Sequence, residues 1–81
     1  MSRANNFQKI VSSNLHSAAY DPAAKVMTVR FTNGTQYRYP ELPETLWKDF
    51  ARLFPGKLGS AGSYFSKQIR FLPNEKIEDW Q

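Results

Sequence analysis

Val26-Met27-Thr28-Val29-Arg30-Phe31-Thr32-Asn33-Gly34-Thr35-Gln36-Tyr37-Arg38-Tyr39 is the stretch that decides the fold. Two runs of alternating, β-prone residues flank Asn33-Gly34, the strongest short-range hairpin signal. A two-residue type I′ turn would pair Thr32 with Thr35 and set Arg30 opposite Tyr37, with Val29 sharing a face with Arg38. A three-residue loop, Thr32-Asn33-Gly34 closed by a G1 bulge at Gly34, instead pairs Phe31 with Thr35 and Val29 with Tyr37. Met27, Val29, Phe31, Tyr37 and Tyr39 then line one face, and Thr28, Arg30, Gln36 and Arg38 line the other. A slip of one residue exchanges every side chain between the faces, so a half-buried ribbon must choose. The second register keeps Arg38 out of the core and leaves one clean apolar side, so it is the one expected.

Outward from the hairpin, Leu15-His16-Ser17-Ala18-Ala19-Tyr20 suits a preceding strand. Leu15 is out of phase with Ala18 and Tyr20, which points to a bulge near His16-Ser17. Asp21-Pro22-Ala23-Ala24-Lys25 is a turn in which the Asp side chain can bond the following backbone. After the hairpin, Pro40 stops the strand and Pro43 opens a helix, with Glu44 at the positive end of its dipole. Leu46, Phe50, Leu53 and Phe54 form one helical stripe, Trp47 and Ala51 flank it, and Lys48, Asp49 and Arg52 fall opposite. That helix is expected to reach about Phe54 and to end at Pro55-Gly56. Gly56–Ser63 holds three glycines and two serines. A second short helix from Ser60 or Ser63 to Arg70 should turn Phe65, Ile69 and Leu72 inward. The expected fold is α+β: a three-stranded antiparallel meander with one long and one short helix packed on one face. Residues 1–11 are expected as an N-terminal arm, 12–73 as the domain, and 74–81 as a C-terminal tail.

Eighty-one residues suffice for one small domain near the lower limit of core size. Six Phe, four Tyr and two Trp supply large apolar area, and without cysteine there is neither a disulfide framework nor a thiolate metal site. No stretch has the length or apolarity of a signal peptide or a membrane span, so no membrane partner is expected. The setting expected is the cytoplasm of a bacterium or of a phage-infected host. Eleven Lys and Arg against seven Asp and Glu give a formal charge of +4, a weak pointer to anionic partners.

No residue set suits catalysis. His16 is the sole histidine, and a serine nucleophile has no base assigned to it by spacing, so no enzyme activity is expected. Metal ligation fares no better, and no cofactor is expected. The best binding candidate is the glycine-rich loop before the second helix. Amides near Gly59 and Gly62 can point at phosphate oxygens, Ser60 and Ser63 add hydroxyls, and Lys57, Lys67 and Arg70 add charge. Tyr64 adjoins that loop and is the aromatic expected nearest a ligand. A second candidate is the solvent face of the sheet, where Arg30 and Arg38 can meet phosphates or bases. In the alternative register Tyr37 and Tyr39 would join Arg30 there as a stacking platform.

Several of these segments, taken together, resemble a known family. Ser12-Ser13-Asn14-Leu15, Tyr20-Asp21-Pro22, Val29-x-Phe31-x-Asn33-Gly34, Tyr37-x-Tyr39 and Gly62-Ser63-Tyr64-Phe65, followed by Lys67, Ile69 and Arg70, look like the KTSC domain. That domain is named for the C-terminus of some lysyl-tRNA synthetases and also occurs alone in bacterial and phage proteins. The resemblance covers about residues 12–70 and implies a small α+β domain with a suggested RNA-binding role. Ser66 stands where the family often has Asn, Phe71-Leu72-Pro73 replaces the usual ending, and residues 54–58 lengthen the link between the helices.

The function expected is therefore a non-catalytic module recognising nucleotide phosphates and bases, with RNA or a small phosphorylated nucleotide as partner. A rival is a phage-type homo-oligomeric sponge that sequesters a signalling nucleotide, cyclic oligonucleotide or cyclic ADP-ribose in type, to block host defence. Its self-association would use Phe7, Ile10, Ile77 and Trp80 of the arm and tail. A further rival is a protein-interaction inhibitor of a host enzyme, acting through an aromatic patch near Trp47 and Trp80.

Overall fold

The computed structural model describes residues 7–80. At its centre lies the hairpin, in the bulged register. Met27 faces Tyr39, Thr28 faces Arg38, Val29 faces Tyr37 and Arg30 faces Gln36. The Phe31 amide donates to Thr35 O at 2.9 Å and the Gly34 amide to Phe31 O at 3.0 Å. Gly34 carries φ of 98°, a left-handed value that a side chain would strain. Asn33 Oδ1 accepts from both the amide and the hydroxyl of Thr35, at 3.0 and 2.7 Å, and so holds the loop shut.

The sheet is wider than the three strands expected. It is an antiparallel five-stranded sheet in the order β1 (Gln8–Lys9), β2 (Leu15–Asp21), β3 (Val26–Phe31), β4 (Gln36–Tyr39), β5 (Glu75–Ile77). The expected meander is β2 to β4, and one short strand from each end of the chain is added to its edges. Neither edge strand shows a hydrophobic alternation, because each uses mainly the backbone groups that the meander left unpaired. Gln8 pairs with Ala18 on one edge, and Gln36, Tyr37 and Arg38 pair with Ile77, Lys76 and Glu75 on the other. The phase break in β2 is a bulge, since Leu15 pairs with Phe31 and Ser17 with Arg30. It lets Leu15 and Ala18 both face the core, at 2% and 0% exposure.

Helix α1 (Glu44–Ala51) packs on the inner face, with Pro43 as its N-cap rather than its first residue. Its regular part stops short of Phe54. Leu53 and Phe54 donate to the carbonyls three residues back, at 3.0 and 3.1 Å. Pro55 disfavours helical geometry in the residue before it, so the last turn tightens before the chain leaves. Phe50 and Phe54 are buried, Leu46 and Leu53 are partly so, and Lys48, Asp49 and Arg52 are exposed. Helix α2 (Ser60–Tyr64) continues directly into a π-helical segment, Phe65–Ile69, where the Arg70 amide reaches back to Phe65 O at 2.8 Å. Phe65 and Ile69 face inward as expected, and Leu72 is half-buried. The core is largely aromatic: Phe50 meets Phe54 edge-on at 4.8 Å, and Tyr20 stacks on Trp47 at 5.4 Å while its hydroxyl donates to Leu42 O at 2.6 Å.

Candidate functional site

The sheet's outer face does not offer its arginines freely. The Arg30 guanidinium lies 3.8 Å from the Phe7 ring centroid and 5.4 Å from that of Trp80, and its Nε donates to Gln36 Oε1 at 2.9 Å. Trp80 is fixed in turn. Its indole N–H donates to Phe31 O at 2.9 Å, its amide to Gly34 O at 3.1 Å, and its ring lies 4.5 Å from His16. Arg38 forms an ion pair with Glu75 of β5. The depression beside it, about 300 Å³, is also lined by Asp21, which does not favour a phosphate. The bulged register keeps Tyr37 and Tyr39 off this face altogether.

The terminal apolar residues offered for self-association are likewise engaged within the chain. Ile10 is buried in the core, Ile77 pairs with Gln36, and Phe7 and Trp80 cover Arg30. Residues 1–6 of the expected arm lie outside the described residues. Trp47 and Trp80 do not form one patch, since Trp47 packs beneath α1 against Tyr20 and Phe54.

Two amides of the glycine-rich stretch are already engaged within the chain. Ser60 N–H already donates to Lys57 O at 3.1 Å, Ser63 N–H donates to Gly59 O at 2.8 Å, and Ala61 between them is fully buried. No serine side chain caps the helix. Gly59 is favoured by its left-handed φ of 95° and not by crowding, since a Cβ there would meet nothing. Lys57, Ser60, Ser63, Tyr64 and Lys67 come together with Gly59 around an open groove of about 600 Å³. Tyr64 stacks on Phe50 at 6.0 Å with 17° between the rings, and burial, then the charge of Asp49, raises its phenol pKa. Gly62 faces the other way, toward Ser12.

On that other side, Arg70 stands over two adjoining clefts of about 360 and 320 Å³. Phe31, Asn33, Phe65 and Arg70 form the wall they share. Tyr37 and Tyr39 line the first, and Asn14 and Ser66 line the second. Tyr37 meets Phe31 edge-on at 5.7 Å, and Phe65 meets both Phe31 and Tyr39 edge-on, at 5.7 and 5.8 Å. Burial and the neighbouring Tyr37 push the Tyr39 phenol up to about 12, against the opposing pull of the Arg70 charge. Asn14 is set there by a turn in which Ser12 Oγ accepts from the Asn14 and Leu15 amides, both at 3.2 Å, and by Thr32 N–H donating to Asn14 O at 2.9 Å.

Charge therefore divides along the molecule. Lys48, Arg52 and Lys76 each have an acidic neighbour, Glu44, Asp49 and Asp79 respectively. Among the described residues Lys57, Lys67 and Arg70 have none, while Lys9 and Lys25, also unpaired, lie away on other elements. The sequence contained a signal for this. Between Asp49 and Glu75 there is not one Asp or Glu, so Lys57, Lys67 and Arg70, unlike Arg52, have no acid within four residues. The contributions of Asn14, Phe31, Asn33, Phe65, Ser66 and Asn74 to the clefts carried no such signal. Among the described residues no group of His, Asp and Glu could hold a metal ion, and no helix is long and apolar enough to cross a membrane.

The sequence profile of the KTSC domain matches residues 11–71. A protein of Tsukamurella paurometabola is 40% identical over 42 residues, 52% of this chain and 63% of that protein, so the chain spans less than two thirds of that relative's length. Among solved structures, a KTSC domain protein from Yersinia pestis is similar with a TM-score of 0.77 and 26% identity, over 89% of this chain and 96% of that one.

Proposed function

The chain belongs to the KTSC domain family, and on that premise we propose that it is a non-catalytic module binding nucleotide phosphates and bases, RNA above all, along the face formed by the glycine loop, α2 and the π-helical segment. One observation carries this reading: among the described residues Lys57, Lys67 and Arg70 lack acidic partners, and they border open concave surface on the two sides of one stretch of chain, Lys57 and Lys67 at the groove and Arg70 at the clefts. Unpaired cations beside concave surface attract phosphate, and aromatic rings beside them receive bases. Tyr64 in the groove and Phe31 and Tyr37 beside Arg70, all partly exposed, supply those rings. Arg30 and Arg38, engaged by the chain's own ends, drop out of the contact set.

The test is fluorescence anisotropy with single-stranded RNA over a series of KCl concentrations. Three phosphate contacts to a single strand give a slope of log K on log [salt] of about −2. The triple variant K57Q/K67Q/R70Q should flatten that slope toward zero, while Lys48→Gln, on the far side of α1, should leave it alone. Binding by the triple variant as tight and as salt-sensitive as the parent's would overturn the assignment, as would no salt-sensitive retention of RNA by the parent.

A further inference from the structure

The double cleft around Arg70 specifies more than a general affinity for phosphate. Its two compartments lie at the lower end of the volume range for small-molecule sites, about 300–1,000 Å³, which is room for one nucleoside each. Arg70 lines both of them. No Asp or Glu lines either compartment, so it meets no competing carboxylate there. One uncompensated cation between two chambers matches one negative charge in the middle of a ligand. A phosphodiester has that charge, whereas a terminal phosphomonoester carries more charge and carries it at one end.

The chambers differ in chemistry. The first is bordered by the partly exposed rings of Phe31 and Tyr37, surfaces on which a base can lie, with buried Tyr39 behind them. The second offers Asn14 and Ser66, short polar side chains able to pair with a base edge, and Asn33 serves both. The backbone on either side is set by structure of its own. Arg70 follows the π-helical segment and is anchored through Phe65 O, and Asn33 is pinned by Thr35. A π-helical turn recurs at functional sites because it shifts side chains off the regular helical path.

We propose that the double cleft holds a phosphodiester flanked by two nucleosides, with the diester on Arg70, one base against Phe31 and Tyr37, and the other beside Asn14 and Ser66. This rests on the nucleotide-binding reading above and sharpens it to a unit of two nucleotides. The same chemistry is present within an RNA strand and in a free dinucleotide.

The test is a titration of the ¹⁵N-labelled protein with the dinucleotide monophosphate ApA, alongside AMP and adenosine, followed by amide chemical shifts. ApA should shift Asn14, Phe31, Asn33, Ser66 and Arg70 together and bind about tenfold or more tighter than AMP, as a second seated base requires. Arg70→Gln should abolish those shifts with the rest of the spectrum preserved, because Arg70 is exposed and its side chain makes no internal ion pair. Phe31→Leu, which removes the ring proposed to seat one base, should weaken ApA, and undiminished ApA binding by it would overturn that placement. AMP binding as tightly as ApA would overturn the two-nucleoside arrangement. So would salt-sensitive RNA binding, lost in K57Q/K67Q, with no ApA response in the cleft; in that case the broader reading stands and only the subsite falls. Failure of both RNA and ApA to bind removes both. Competition between ApA and a longer strand would identify the strand as the source, and ApA binding without such competition would identify a free dinucleotide.

Discussion

Trp80 is six residues from Asn74 in a polar tail, yet it closes the sheet's outer face, and replacing it with alanine should be costly for so exposed a region. The indole N–H donates to Phe31 O at 2.9 Å, a bond worth about 1 kcal/mol net. The ring lies over the Arg30 guanidinium at 5.4 Å and beside His16 at 4.5 Å. A cation–π contact at a partly exposed site is worth about 0.5–1 kcal/mol and an aromatic pair about 0.5. Trp80→Ala should therefore destabilise by about 2 kcal/mol, which for a domain of this size lowers Tm by about 8–16 °C. Trp80→Phe keeps a ring and loses the donor. Phe31 O still accepts from Gly34 N–H at 3.0 Å, so it is not orphaned, and the cost should be about 1 kcal/mol or less. Thermal unfolding followed by circular dichroism measures both. A double-mutant cycle with Arg30→Met should return a coupling of about 0.5–1 kcal/mol. A Tm for Trp80→Ala within a degree or two of the parent's would refute the described clasp. RNA affinity should not change in this variant, and a marked gain would move the ligand to the sheet's outer face.

Other consequences follow from the packing. Phe50 is fully buried among Trp47, Phe54, Tyr64 and Phe65, so Phe50→Ala should cost about 3–5 kcal/mol in urea unfolding, whereas Leu58→Ala, at a residue 71% exposed, should stay within about 0.5. Gly34→Ala forces a side chain to a φ of 98° and should cost about 1–2 kcal/mol. Gly62→Ala has the opposite sign: its Cβ would lie 3.4 Å from Ser12 Oγ, an ordinary contact, and a helical alanine in place of glycine stabilises by about 0.5–1 kcal/mol. The Tyr39 phenol, raised to about 12, is favoured in its neutral form by the fold. Its contribution is complete below the ordinary tyrosine value near 10 and is lost as pH climbs from there through 12, so alkaline unfolding should be delayed in Tyr39→Phe when each protein is compared with its own stability at neutral pH.

Local rules made much of the architecture legible. Alternation about Asn33-Gly34 determined which side chains of β3 and β4 face the core, because only one register spares Arg38 from burial and supplies a left-handed glycine at the bulge. The phase error at Leu15 foretold the bulge in β2, and the helical stripe through Phe50 and Phe54 foretold the face that α1 buries. The family signature followed from the same segments. These features depend on neighbours within a few residues, which is where sequence patterns carry information.

The edges of the sheet and the partners of its two arginines were decided by tertiary structure alone. β1 and β5 have no pattern of their own and form on a template that only the folded meander provides. Arg30 and Arg38 sit on the solvent side as their alternation requires, yet Trp80 and Glu75 occupy them from 50 and 37 residues away in the chain. No spacing rule anticipates such partners, because an ion pair or ring contact is set by distance in space. The free cations of the α2 side were visible in outline, through the missing acids between Asp49 and Glu75. The placing of Arg70 beside Phe31, Asn33 and Asn14 was not, since those residues meet it only once hairpin, bulge and π-helical turn have packed together.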